Sequence, residues 1–195
     1  MSDEKRQYRM KRRAEQEAQT RLRITESAVD LHGTLGPART SLSMVAERAG
    51  VQRNTLYAHF PDERSLALAC SGLHLEREPP PDAAAWRDLP AGCERLRGGL
   101  GRVYGWYART AEITACVLRD AEHHAVTREV MALRFGPAAA AWRAVLGEGL
   151  TAPQQALVHL ALGFHTWQAL VQEAGLDEAA AAGLMADAVV GAGPG

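Results

Sequence analysis

The side chains with the clearest capacity for molecular recognition lie together in the stretch GVQRNTLYAHF, residues 50–60. Six of them offer almost every kind of hydrogen-bond donor and acceptor: Gln52, Arg53, Asn54, Thr55, Tyr57 and His59. Arginine can form two parallel hydrogen bonds with guanine, and Gln or Asn can form two with adenine. Hydroxyl and imidazole groups suit phosphate oxygens. These residue types indicate recognition of a polar, anionic surface, whereas catalysis would need a defined partner for a nucleophile or base.

Two short helices joined by a tight turn are predicted to hold this stretch in place. Residues 42–49 have one apolar face and follow Ser41, a favourable N-cap residue. Gly50 comes next, where the end of a helix favours a residue in the left-handed conformation. A second short helix is predicted over residues 52–59. A longer helix over residues 14–33 precedes both, so the order predicts a helix-turn-helix motif.

The helix-turn-helix motif gives each side chain of the second helix a role. Residues at its N-terminus meet base edges in the DNA major groove, and these are Gln52, Arg53 and Asn54. Leu56 and Phe60 are apolar and anchor the helix to its own domain. Five residues are expected to contact phosphate oxygens: Ser41, Ser43, Thr55, Tyr57 and His59.

Residues 24–66 resemble the DNA-binding domain of the tetracycline-repressor (TetR) family of bacterial regulators. The shared pattern is AERAGV at the turn, TLYAHF at the end of the second helix, and Leu66 at the opening of a connecting helix. The resemblance implies an all-α fold, with an N-terminal three-helix helix-turn-helix DNA-binding domain and a C-terminal helical bundle for ligand binding and dimerisation. It also implies a ligand-responsive repressor that binds a palindromic operator in double-stranded DNA as a homodimer.

Two positions depart from the pattern of that family. An aromatic residue is usual where this chain has His32, which predicts a wetter or differently packed core at that point. A phosphate-binding lysine is usual where this chain has Glu63, and a carboxylate repels phosphate. Arg64 or the basic N-terminus is expected to make that contact instead.

Charge is distributed unevenly along the chain. Residues 1–64 contain 12 Lys and Arg against 9 Asp and Glu, whereas residues 65–195 contain 10 against 14. A basic end on a chain of net charge −1 indicates a local anionic partner. Residues 1–13 are therefore predicted to be a basic arm that contacts phosphate or the minor groove. The alternative is a solvated, partly disordered tail.

Composition and pattern divide the chain into three segments: a basic N-terminal arm over residues 1–13, the helix-turn-helix domain over 14–66, and a helical effector-binding and dimerisation domain over 67–195. Four of the nine prolines fall within residues 77–92, a linker candidate inside the last segment. Beyond this stretch, helices are predicted near 93–110, 112–124, 127–146, 152–174 and 177–190, with a pause at Gly136–Pro137.

All four tryptophans lie in the last segment. Aromatic walls with a few polar groups are typical of pockets for apolar small molecules, although aromatic rings can also simply fill a helical core. We predict that an unknown small-molecule effector contacts nine residues: Tyr104, Trp106, Tyr107, Arg109, Cys116, His123, Trp142, Phe164 and His165.

The predicted helix 152–174 has two apolar faces, and one of them is a seam with small residues at spacings of four and three. A helix with two apolar faces needs two partners, and a second subunit is expected to be one of them. The predicted dimer interface combines this seam with the last helix: Ala156, Leu160, Gly163, Trp167, Leu170, Leu184 and Ala188.

Several classes of protein find no support in the sequence. The chain has no His-Glu-x-x-His motif, Walker loop or Gly-x-Ser-x-Gly elbow, so we predict no enzyme and no cofactor. No metal site is predicted, although Cys93, Cys116, His123 and His124 could converge in space. The chain lacks a run of about 18 apolar residues and an apolar leader, so we predict a cytoplasmic protein with no membrane span.

The main alternative is a helical interaction or scaffold protein with a helix-turn-helix that does not read DNA. Such a protein would not need base-reading side chains at residues 52–54. We therefore favour a sequence-specific DNA-binding transcriptional regulator.

Overall fold

The computed structural model describes residues 2–193, with side chains from residue 4 onward. Met1 of the predicted arm and residues 194–195 of the predicted last segment lie outside the described residues. Within this range the regular structure is helical and no β-strand occurs, which confirms the all-α prediction. The chain packs into two units. The first contains the chain up to Arg77 together with Ala115–Val130, and the second contains Glu78–Thr114 and the chain from Met131 onward.

Four helices build most of the first unit: α1 (Ser2–Thr34), α2 (Leu42–Arg48), α3 (Arg53–His59) and α4 (Glu63–Arg77). Ser41 caps α2, because its side-chain oxygen accepts a hydrogen bond from the backbone N–H of Met44. The turn into α3 passes through Gly50 at a φ of 63°, a conformation that glycine adopts without steric cost. The predicted helix-turn-helix of α2 and α3 is confirmed.

The core of the first unit is formed by the apolar faces of these four helices. Ile24 and Ala28 of α1 are fully buried, as are Leu56 and Phe60 at the end of the helix-turn-helix. Leu66 of α4 packs in the same cluster. Each of these positions follows from helical spacing in the sequence.

Helix α1 is longer than its predicted range of 14–33. It begins at Ser2 and continues without interruption to Thr34. Its first three turns consist mainly of Lys, Arg, Gln, Glu and Met, which favour helix, and neither proline nor glycine interrupts them. The side chains of residues 4–19 are exposed, so the prediction missed a helix that has no apolar face to signal it.

The second unit is built on five further helices, two of which also supply residues to the first: α5 (Cys93–Ala121), α6 (Ala125–Leu146), α7 (Ala152–Ala161), α8 (Phe164–Trp167) and α9 (Glu178–Gly191). A 3₁₀ segment covers Ala84–Asp88, and a π-helical segment, Gln168–Glu173, follows α8 directly. Helices α7 and α9 pack against each other.

Two predicted interruptions do not occur. The predicted helices 93–110 and 112–124 are one helix, α5, in which the Thr110 hydroxyl donates to the backbone carbonyl of Trp106 one turn earlier. Helix α6 runs through Pro137. Proline removes the hydrogen bond to the carbonyl of residue 133, but Leu133 and Pro137 are both exposed, so water can solvate that carbonyl.

The predicted single helix 152–174 is wrong, because the chain breaks at Gly163, where the backbone is extended (φ −70°, ψ 135°). The reason is long-range. The Tyr104 hydroxyl donates to the carbonyl of Ala161 at 2.9 Å, and the Tyr107 hydroxyl donates to that of Leu162 at 2.8 Å. These buried hydroxyl groups occupy carbonyls that a continuous helix would use itself.

Candidate functional site

The exposed face of α3 carries the side chains predicted to read bases. Gln52 is the N-cap of α3, with an extended backbone and no side-chain capping hydrogen bond. Its amide group is therefore available to a partner, and Gln52, Arg53 and Asn54 are all exposed. Leu56 and Phe60, on the opposite face, have no exposed surface. The helix is thus anchored by its apolar side and presents polar groups at its N-terminus.

Arg53 and Tyr57 form a pair on this exposed face. The Arg53 guanidinium donates to the Tyr57 hydroxyl at 3.3 Å and lies 5.9 Å from the centre of its ring. The residues are one helical turn apart, so their side chains are neighbours. The pairing leaves the other guanidinium N–H groups free to donate, and it restricts the orientation of a long side chain before any partner binds.

The remaining predicted DNA contacts differ in exposure. Ser41 is exposed, whereas Ser43, Thr55 and His59 are half-buried. The hydroxyl oxygen of Ser41 already accepts a hydrogen bond from the Met44 N–H at the N-terminus of α2. That N-terminus presents backbone N–H groups of the kind that bind phosphate.

Arg64, predicted as a substitute phosphate contact, has a partner within the unit. Its guanidinium donates two hydrogen bonds to one carboxylate oxygen of Glu129, at 2.7 and 2.9 Å. The interaction raises the pKa of Arg64 and lowers the pKa of Glu129. The neighbouring Glu63 also has a partner, the imidazole of His124 at 3.2 Å. Both residues at the start of α4 thus face the start of α6.

Sequence reasoning missed Arg21, which fixes the C-terminus of α3. Its guanidinium donates to the backbone carbonyl of His59 at 2.7 Å and stacks 4.1 Å from the centre of the Phe60 ring. An unsatisfied carbonyl at a helix C-terminus favours a cation. No local motif points to this contact, because the residues are 38 positions apart.

His32, where the sequence predicted wetter or different packing, is buried in the core of the first unit. Its side chain is buried beside Cys70, with imidazole Nδ1 3.2 Å from the Cys70 sulfur. Burial lowers the pKa of His32 to about 4, the nearby Asp120 acting against the shift and His124 with it. Burial also raises the pKa of Cys70 to about 12, so this thiol is held protonated and is a poor nucleophile.

Asp120, at the end of α5, is another residue that sequence reasoning missed, and its role is to hold a loop of the first unit in place. Its side chain is 2% exposed and accepts hydrogen bonds from the Ala38 backbone N–H at 2.9 Å and from the Arg119 guanidinium at 2.8 Å. Burial by itself raises the pKa of Asp120, but these hydrogen bonds outweigh burial and leave the pKa below its ordinary value. Arg119 also donates to the carbonyl of Leu35. The end of α5 thereby holds the loop between α1 and α2.

The residues predicted to bind a ligand fall into both units. Cys116 and His123 belong to the first, where the Cys116 thiol contacts the carbonyl of Gly33 at 3.4 Å. The other predicted residues belong to the second unit. Of these, Arg109 and His165 are exposed, and Arg109 pairs with Glu78 at 3.1 Å. The buried ones are Tyr104, Trp106, Tyr107, Trp142 and Phe164.

The buried aromatic residues of the second unit form a connected cluster. Trp106 stacks on Phe135 with ring centres 5.6 Å apart, and Tyr107 meets Phe164 edge-on at 5.3 Å. Trp167 joins the cluster at 5.2 Å from Phe164. Its indole N–H is buried and has no hydrogen-bond partner among the described residues, as is also true of Trp86. A buried donor of this kind attracts any group that can accept from it.

The predicted dimer residues divide into exposed and buried groups. Ala156, Leu160, Leu184 and Ala188 are exposed on α7 and α9, with about half of the Leu160 and Leu184 side chains accessible. Trp167 is 2% exposed and packs inside the aromatic cluster. Gly163 and Leu170 are half-buried, on either side of α8. The break at Gly163 prevents the five seam residues of the predicted helix 152–174 from forming one continuous stripe.

Two further classes of site do not occur in the described part of the chain. Among residues 4–193, no group of three or more His, Cys, Asp or Glu side chains could hold a metal ion. No helix within the same range is both long and apolar enough to cross a membrane.

Residues 24–70 match the model of a family described as bacterial regulatory proteins, tetR family. The HTH-type transcriptional regulator TtgR of Pseudomonas putida is 39% identical over 90 residues, which cover 44% of this chain and 43% of TtgR. The match thus spans less than half the length of that curated relative.

Solved structures resemble the chain over a longer range. FadR from Bacillus subtilis in complex with stearoyl-CoA has a TM-score of 0.60 at 16% identity, covering 87% of this chain and 97% of that chain. The multidrug binding protein EbrR complexed with imidazole has a TM-score of 0.59 at 21% identity, covering 87% and 94%. At these identities the likeness establishes the fold.

Proposed function

We propose that this chain is a sequence-specific DNA-binding transcriptional regulator, as the match of residues 24–70 to the tetR family of bacterial regulatory proteins supports. The observation that carries the proposal is the two-sided character of α3. Gln52, Arg53 and Asn54 are exposed at its N-terminus, while Leu56 and Phe60 are fully buried behind them. A helix that served only to support the fold would not need amide and guanidinium groups at the positions that reach base edges.

The second step of the proposal is that the protein acts as a homodimer on a palindromic operator. Leu160 and Leu184 are both about half exposed on the packed pair α7 and α9, and Ala156 and Ala188 lie one helical turn from them. Two helices with apolar and small residues on their outer face can form a four-helix bundle with the same pair of a second copy. A two-fold axis then presents two α3 helices to two half-sites.

The third step is regulation by a small molecule bound in the second unit. The buried, unpartnered N–H of Trp167 lies among aromatic rings of the described residues, next to the helix break at Gly163 and a π-helical segment. π-Helical turns are frequent at functional sites. A flat apolar ligand with a hydrogen-bond acceptor suits this surrounding. Such a ligand regulates only if it binds two arrangements of the protein with different affinity. If the DNA-bound arrangement binds it more weakly, the ligand releases the protein from DNA and relieves repression.

Selection of bound sequences from a random duplex pool tests this function directly. The most enriched duplex and a scrambled duplex of the same length are then each titrated with protein, and fluorescence anisotropy measures the binding affinity for each. We expect an enriched palindrome that binds at least about 1000-fold more tightly than the scrambled DNA. Equal binding of the two duplexes would refute sequence-specific recognition. Absence of binding to any duplex would favour the interaction or scaffold protein instead.

A further inference from the structure

The N-terminal part of α1 is a second cationic surface, distinct from α3. Helix α1 begins at Ser2, whereas the region shared with the tetR family begins at residue 24. Lys5, Arg6, Arg9 and Arg13 are exposed along this extension, and together with Met10 they line one shallow surface depression. We call these four cations the basic stripe. At about 100° per residue they fall within an arc of about 100°.

The basic stripe lies on the side of α1 that packs against the domain. Eighteen residues make about five helical turns, so Arg6 and Arg13 share their directions with Ile24 and Leu31, which are buried. The same face of one helix is therefore apolar where it meets protein and basic where it extends beyond it. A helix face that contacted only solvent would not need apolar residues along one part and basic residues along the other.

The N-terminal extension of α1 begins to project from the first unit next to the C-terminal end of α3. Arg21 is hydrogen-bonded to the carbonyl of His59, the last residue of α3, and stacks on Phe60. The basic stripe begins about two turns further along α1, at Arg13. Consequently, a duplex that contacts α3 is close to the point where the stripe begins.

The arrangement of charges on the stripe favours an anionic partner. Lys5, Arg9 and Arg13 are spaced at i, i+4 and i+8, so like charges are neighbours and destabilise the isolated helix. None of the ion pairs formed by residues 4–193 includes a cation of the stripe. Glu17, at the inner end, is the nearest acid on this face. Binding to phosphate would remove the repulsion.

We propose that the basic stripe of α1 binds the phosphate backbone of DNA just outside the half-site contacted by α3. The inference rests on the proposed function and adds a contact that is independent of sequence. From Ser2 to Arg21 the helix extends about 28 Å, at about 1.5 Å per residue, which corresponds to about 8 base pairs at about 3.4 Å each. The bound DNA is therefore longer than the palindrome that the two α3 helices read.

The salt dependence of binding tests this proposal, with single substitutions matched in charge. Arg9→Gln and Arg13→Gln remove cations of the stripe, and Lys11→Gln removes one from the opposite face of the same helix. Each phosphate contact contributes about 0.9 to the slope of log K against log salt. With two subunits bound, each stripe variant is expected to reduce the slope by up to about 2, whereas Lys11→Gln leaves it unchanged. Circular dichroism verifies that all three variants keep the same fold.

A second measurement uses the length of the DNA. Wild-type protein is titrated with the bare palindrome and with the palindrome extended by about 10 base pairs on each side, slightly more than the reach of the helix. The stripe variants should lose affinity only for the longer duplex. Equal slopes for all three variants on the longer duplex would overturn the proposal while leaving operator recognition intact. Conversely, the stripe variants could reduce the slope of log K against log salt on random DNA while the selection yields no enriched palindrome. That result would support phosphate binding by the basic stripe and refute sequence-specific recognition by α3.

Discussion

The carboxylate of Asp120 accepts a hydrogen bond from the backbone N–H of Ala38 at 2.9 Å, across 82 positions of sequence. This contact joins the end of α5 to the loop that leads into the helix-turn-helix. Helix α5 begins in the second unit and ends in the first, so Asp120 lies on the covalent route between the proposed ligand-binding region and the DNA-binding domain.

Removal of the Asp120 carboxylate should destabilise the first unit. Asp120→Ala removes a carboxylate that is 2% exposed and takes the acceptor from the Ala38 N–H and the Arg119 guanidinium, and the expected loss is about 1–3 kcal/mol of unfolding free energy. Asp120→Asn keeps an acceptor oxygen and should lose less. Asp187→Asn, in an exposed pair with Arg97, serves as the control and should change stability by less than about 0.5 kcal/mol. Urea unfolding measures all three, and equal midpoints would contradict the assigned role.

Gly36 should not tolerate a side chain. Its φ is 99°, a conformation that L-residues rarely adopt, and a Cβ atom there would overlap the guanidinium of Arg119 and the carboxylate of Asp120. Gly36→Ala is therefore expected to cost more than about 2 kcal/mol. Gly101→Ala, within α5 and with open space around its Cβ position, should be neutral or stabilising by up to about 1 kcal/mol. Thermal unfolding that ranks the two variants equally would show that the loop adapts.

His32 should make stability depend on pH between about 6.5 and 4. Burial holds the pKa of His32 at about 4 in the folded protein, against 6.5 for the free side chain. Between these values the unfolded chain binds more protons, so the free energy of unfolding falls as pH falls through this window and then levels off. The full contribution is about 3 kcal/mol, from the difference in pKa.

His32→Phe should remove this part of the pH dependence. Cys70 keeps a second acceptor in the carbonyl of Ala67, so the substitution does not leave its thiol unpaired. Asp120 and His124, the ionisable groups that act on His32, remain in the variant. His123→Gln, at an exposed position, should retain the wild-type dependence. Urea unfolding at several pH values across this window separates the variants, and identical profiles would assign the dependence to other groups.

Arg53 should determine specificity at one base pair of each half-site. Arg53→Ala removes a side chain able to bind guanine through two hydrogen bonds, each such pair giving about 1–3 kcal/mol of discrimination. Repeating the selection from random DNA should then show relaxed preference at a single symmetric position. Tyr57→Phe retains the ring beside Arg53 but loses the hydroxyl that accepts from it, so it should keep the preference. A uniform loss of affinity in Arg53→Ala, with unchanged preference, would identify a phosphate contact.

Leu184 should be required for formation of the proposed homodimer. Leu184→Glu introduces a charge on the proposed interface of α7 and α9, and light scattering is expected to detect monomers at micromolar concentration. Leu133→Glu is a matched control, because Leu133 is exposed to a similar extent, 55% against 51%, on α6. Dissociation by both variants or by neither would argue against this interface.

Local signals in the sequence were sufficient for the helix-turn-helix. Ser41 caps α2, Gly50 takes the left-handed turn, and Leu56 and Phe60 recur on the buried side of the chain. Each of these signals acts within a few residues, so spacing alone reveals it. The resemblance over residues 24–66 follows from the same positions and is confirmed by the family match over residues 24–70.

The sequence of residues 2–13 indicates charge but not shape. Helical propensity without an apolar face gives no periodic signal, so the helix there escapes prediction. The excess of Lys and Arg predicts the basic arm. Only the continuation of α1 in three dimensions shows that four of these cations share one face.

Tertiary structure alone decided how distant segments meet. The sequence predicts that Arg64 or the basic N-terminus binds phosphate, but it does not reveal that the Arg64 guanidinium pairs with Glu129, 65 positions away. It also predicts a continuous helix 152–174, but the hydroxyl of Tyr107 binds the carbonyl of Leu162 and the chain breaks. The sequence by itself determined α3 and the buried residues that anchor it, Leu56 and Phe60, because caps, turns and helical periodicity are local signals. The partners of charged and buried polar groups depend on folding, since the hydrogen bonds they form join residues whose separation along the chain carries no pattern.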